Sequence, residues 1–145
     1  MNAVIIEQPL TLDIYGFSGV AIDKKYGAKA FELSGKMWNA VKSAGIKNKG
    51  QNIWVYEDGH AVFSGIELDE IPPADSGLER KTITLPRYGY VKHIGPYSLM
   101  GHASNNLRQH IRQHGLDDQL PYIEIYGHWN SDESKLETEL ITAIG

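Results

Sequence analysis

Ile123-Glu124-Ile125-Tyr126 repeats, late in the chain, the form of Ile53-Trp54-Val55-Tyr56. In both stretches aliphatic residues alternate with aromatic or acidic ones, the period-2 signature of a strand whose two faces meet different surroundings. Each is preceded by an amphipathic helical pattern. Before that comes an extended stretch closed by glycine, Pro9 to Gly19 in the first half and Pro86 to Gly95 in the second. Each is followed by a closing strand, near Val62 to Leu68 and Thr138 to Ile144. Two strand–helix–strand–strand units in tandem, about residues 3–71 and 79–145, predict one small domain of α and β elements with a pseudo-twofold axis and a ligand groove at that axis.

At 145 residues a single domain, 1–145, can bury a real hydrophobic core. Fourteen basic against 18 acidic residues give a formal charge of -4, which disfavours broad electrostatic binding to nucleic acid or an anionic membrane. With no cysteine, disulfides, zinc–thiolate sites and cysteine nucleophiles are excluded. The N-terminal residues lack a basic region followed by an apolar one, and no apolar run approaches the roughly 20 residues that span a bilayer. A cytoplasmic location is expected.

Along the chain, Leu10, Leu12 and Ile14 alternate with polar partners, and Gly16 and Gly19 are expected to loosen the end of that strand. The spacing predicts a helix over 24–44 with a stripe of Ala30, Leu33 or Ser34, Met37, Val41 and Ala44, shouldered by Phe31 and Trp38, and stopped at Gly45. Asp58-Gly59 marks a hairpin, and Pro72-Pro73 a linker. A second helix follows Gly95-Pro96, with Leu99, Ala103, Leu107, Ile111 and His114 on one face and Gly115 as the stop.

Strand parity places Ile53 and Val55 opposite Trp54 and Tyr56, and Ile123 and Ile125 opposite Tyr122, Glu124 and Tyr126. The aliphatic face reads as the seat of the helices. The aromatic face is then a ligand groove, an oligomer interface, or ground covered by the loop around Trp129. Glu139, among Leu136, Leu140, Ile141 and Ile144, is either a solvated strand carboxylate or the acid at the floor of an aromatic pocket. His110 and His114 are spaced i,i+4 but form no His-Glu-x-x-His motif, and read as core or boundary histidines. No phosphate loop, serine elbow or metal cluster is present, so neither cofactor nor metal is expected.

Tyr90-Val91-Lys92-His93-Ile94-Gly95-Pro96-Tyr97, then the helix, Tyr122-Ile123-Glu124-Ile125-Tyr126 and Leu136-Glu137-Thr138-Glu139-Leu140 resemble the gyrase-inhibitory-protein-like (GyrI-like) small-molecule-binding domain. The same fold is the effector-binding domain of multidrug and AraC-type regulators, and the resemblance covers essentially the whole chain. It implies an α+β fold: a tandem duplication of a β-α-β-β unit, with two helices on one face of an antiparallel sheet and a ligand groove between the halves. It matches the family's pocket glutamate to Glu139 and its strand-end tyrosine to Tyr126, and places Trp54 and Tyr90 on groove-lining strands. Tyr56 and Trp129 join the expected ligand-binding set. This chain departs from the family's Glu-x-aromatic-x-Pro ending, with Ile141 and Ala143 after Glu139. No helix-turn-helix is visible.

A stand-alone binder of hydrophobic molecules, cationic ones among them, is therefore the leading expectation. The alternatives are a hydrolase of reactive, cyclopropane-bearing compounds using Glu139 and Tyr126, and a protein-binding inhibitor of gyrase or companion of a transcription regulator.

Overall fold

The computed structural model describes residues 2–145; Met1, the first residue of the expected 1–145 domain, lies outside them. Among the described residues the order is β1 (Val4–Ile6), β2 (Leu10–Val20), α1 (Tyr26–Ala44), β3 (Asn52–Glu57), β4 (Ala61–Ile66), β5 (Glu79–Leu85), β6 (Tyr88–Ile94), α2 (Met100–Gln113), β7 (Asp118–Tyr126) and β8 (Glu137–Ile144). No helix among them is long and apolar enough to cross a membrane. The elements gather into two compact units, Thr11–Ile83 and the residues up to Leu10 with Thr84–Gly145.

In the unit Thr11–Ile83 the strand order is β3-β4-β2-β5. Helix α1 buries Ala30, Leu33, Ser34, Met37 and Val41, as the apolar spacing requires, against Phe17, Val62 and Ile66. Ser64 secures it from the sheet, its hydroxyl donating to the Ala30 carbonyl at 2.7 Å. Gly45, at φ 61, ends the helix in the left-handed conformation. The stripe is narrower than predicted, since Phe31 is 74% exposed and Ala44 is exposed. Gly16 and Gly19 do not loosen β2, which runs through both.

In the other unit the order is β1-β6-β8-β7, with antiparallel pairs Val91↔Leu140 and Glu124↔Leu140. Ala103, Leu107 and Ile111 of α2 pack on Val91, Leu140 and Ile144. Leu99 and His114 leave the expected stripe and are exposed. Leu99 sits in the 3-10 turn Tyr97–Leu99 that precedes the helix, and His114 is the capping residue beyond it.

These units do not coincide with the tandem repeats, because the repeats exchange their first strands. β1, from the first half, pairs with β6. β5, from the second, is tied to β2 by Arg80–Asp13 at 2.8 Å and by the Ser18 hydroxyl donating to Glu79 at 2.7 Å.

The helices also take the face opposite to the one expected. Trp54 and Tyr56 pack on the α1 cluster, and Tyr122 packs on the α2 cluster. Ile53, Val55, Ile123 and Ile125 lie on the other side of their strands and are buried there as well. With both faces covered, aliphatic residues do not single out the helix side.

Where β2 and β4 pair at Gly16↔Gly65, a Cβ on Gly16 would sit 1.9 Å from the Ser64 carbonyl oxygen. Gly35, within α1, faces open space. Gly16→Ala should cost about 2 kcal/mol or more, whereas Gly35→Ala should gain about 0.5–1 kcal/mol. Urea unfolding of both variants checks the opposite signs.

Candidate functional site

Tyr122, Glu124 and Tyr126 occupy alternate positions of β7 and so project from one face. Their partners on β8 are Thr142, Leu140 and Thr138, which puts all three on the side that packs against α2. The helix lies chiefly over β6, and the three side chains remain half-buried. The Tyr126 hydroxyl donates to one oxygen of Glu124 at 2.9 Å, and that of Tyr122 to the other at 3.3 Å. Tyr97, in the turn before α2, meets Tyr126 edge-on with ring centroids 5.4 Å apart. The His93 ring holds that turn through Nε2, which donates to the Pro96 carbonyl at 2.9 Å. Thr138, fully buried between His93 and Tyr126 in register, has no hydrogen-bond partner for its hydroxyl.

The result is a carboxylate with both oxygens engaged by phenols and aromatic rings around it. Burial, reinforced by the negative charge of Glu124, raises the Tyr122 hydroxyl above the ordinary tyrosine range.

The opposite face of β6 and β8 carries Tyr90, Lys92, Glu137 and Glu139. Lys92 is the cross-strand partner of Glu139 and ion-pairs with Glu137 at 2.8 Å. The hydrogen bond to Glu137, then its charge, raises the Lys92 ammonium above the usual lysine range. Burial, followed by the charge of Glu139, pushes the Tyr90 hydroxyl up.

Of the residues singled out from sequence, Glu139 and Tyr90 therefore share a face. Tyr126 lies on the other side, because Glu139 pairs with Ile125 and Tyr126 pairs with Thr138. Glu139 and Tyr126 do not converge. Trp54 and Tyr56 face α1 in the other unit, where Tyr26 and Tyr56 form an edge-on pair at 6.2 Å, an echo of Tyr97 and Tyr126. Trp129 is 77% exposed. Sequence reasoning passed over Glu124. Its signal was present: an acid flanked at i-2 and i+2 by tyrosines on one strand.

No protein-family model matches the chain, and no curated protein matches it. Solved structures do match. The C-terminal domain of EcmrR has a TM-score of 0.75 at 16% identity, covering 99% of this chain and 97% of that one. The chain has the GyrI-like fold. This is the α+β architecture, with antiparallel strands and two helices, that the resemblance implied. Another structure with the GyrI-like fold, SAV2435 bound to tetraphenylphosphonium, matches with a TM-score of 0.65 at 16% identity over 100% of this chain and 94% of that one. A hydrolase from Listeria innocua matches at 0.58 and 12% identity, covering 99% and 92%. In the longer EcmrR chain of a DNA complex, the matched GyrI-like region is 57% of the length.

The raised Tyr122 hydroxyl has a sign for stability. Its proton is held more tightly folded than unfolded, so its contribution is complete below the unfolded value near pH 10 and fades as pH rises beyond it. An alkaline titration followed by tyrosinate absorbance should show a late phenol in the native chain. Tyr122→Phe should remove it, and Glu124→Gln should advance it only in part, since burial is the larger cause.

Proposed function

We propose that this chain binds lipophilic cations on the α2-facing side of β7, with Glu124 as the counter-charge. The observation that carries this reading is the Glu124 carboxylate held by the Tyr126 and Tyr122 hydroxyls at 2.9 and 3.3 Å. A half-buried carboxylate among aromatic rings suits a large, soft cation. Such a cation is cheap to desolvate, attracted by the acid and received by the ring faces. Glu139 is the poorer receptor, because Lys92 already stands opposite it. The likeness to SAV2435, solved with a lipophilic phosphonium cation, supports the same ligand class.

Calorimetry with tetraphenylphosphonium and neutral triphenylphosphine oxide tests the proposal. Glu124→Gln should weaken the cation by about tenfold or more, roughly 1.4 kcal/mol per decade, and leave the neutral compound nearly unchanged. Glu139→Gln should alter neither by as much. Equal loss for both compounds, or no loss at all, sinks the role of Glu124.

A second reading is hydrolysis of the bound compound. The contact between Glu124 and the Tyr126 hydroxyl favours it, since it sets an acid and a phenol within proton-transfer distance. A reactive ligand gaining the mass of one water in the presence of the native chain, but not of Glu124→Gln, would establish it. Ligand recovered intact after long incubation leaves binding alone.

A further inference from the structure

Away from that site, His110 and His114 stand one turn apart at the end of α2. Their ring centroids are 4.4 Å apart and the planes are tilted by 50°. The Nδ1 of His114 lies 2.9 Å from the carbonyl oxygen of His110. A carbonyl only accepts, so Nδ1 carries the proton and Nε2 keeps its lone pair. Metal-ligating histidines are held this way, with one ring nitrogen donating to the backbone and the other turned to the ion.

The turn beneath the pair is well secured. Ile111 is fully buried in the α2 core. The amides of Gly115 and Leu116 return to the carbonyls of Arg112 and Ile111 at 3.0 and 3.2 Å. His114 is exposed and His110 half-buried. The nearby guanidinium groups are occupied, since Arg108 and Arg112 lie 3.7 and 3.5 Å from Asp118.

We propose that His110 and His114 chelate a divalent transition metal, with Cu2+ held most tightly. Two neutral imidazoles at i,i+4 share one helix face and suit copper, nickel and zinc rather than magnesium or calcium. Among the described residues no group of three or more metal-ligating side chains forms, so water completes the coordination and the ion is exchangeable.

Cu2+ titration of the full chain, read by calorimetry and electron paramagnetic resonance, tests the site. One equivalent should bind with coupling to two equatorial nitrogens. His110→Gln and His114→Gln should each weaken it by about tenfold or more, and Ni2+ and Zn2+ should bind less tightly. Cu2+ should raise the melting temperature of the native chain but not of His114→Gln, whose exposed position leaves the fold intact. A double variant that keeps the native stoichiometry and spectrum overturns the proposal, as does native protein showing coupling to a single nitrogen. Tetraphenylphosphonium affinity should be the same with and without Cu2+, so this site and the Glu124 site stand or fall separately.

Discussion

The register of β7 against β8 governs the chemistry of the molecule. Ile125 pairs with Glu139 and Tyr126 with Thr138, and residues paired across strands share a face. A slip of one residue would set Glu124 opposite Glu139 or Ile141 and so put both carboxylates on one face. Two features hold the register. The irregularity in pairing is confined to the interval between Gln119 and Tyr122, before the stretch that carries Glu124. The Thr142 hydroxyl donates to the Gln119 carbonyl at 2.8 Å, which pins the strand on the far side of that bulge.

From this register come two carboxylates with different neighbours. Glu124 is met by phenols, neutral donors that order the carboxylate. Glu139 stands opposite an ammonium that is itself paired with Glu137. The Lys92–Glu137 bridge is part-exposed, with side chains 29% and 49% accessible, and a bridge so open to solvent contributes little to stability. Its larger effect is local, since it places positive charge beside the acid that sequence alone favoured.

The duplication was legible because turn residues and periodicity are local properties: Asp58-Gly59, Gly45 and Gly115 fall where the turns and helix ends are. The assignment of faces was not. Alternation separates Ile123 and Ile125 from Tyr122 and Tyr126, but with the aliphatic side buried as well, nothing in the pattern says which side receives a helix. Glu124 was hidden for the same reason, as a member of a face read as lying away from α2. Glu139 was chosen on its apolar sequence neighbours, and of those Leu140 and Ile144 point to the other side of the strand, leaving Ile141 beside it. The partner of β1 was equally out of reach, because three residues, Val4–Ile6, hold too little pattern to name a distant strand.

The exchange of first strands sets an order on events during synthesis. The unit Thr11–Ile83 is contiguous and has every one of its strands once β5 has been made. The other unit is discontinuous. Its opening strand, the first made, must remain unpaired until Tyr88–Ile94 has been translated. The loop it then closes contains the whole of the first unit. Folding that unit beforehand shortens the effective loop, and the entropy of closure grows only slowly with length. A nascent chain of this topology therefore carries an open strand edge through much of its translation, a vulnerability that vanishes when β6 emerges.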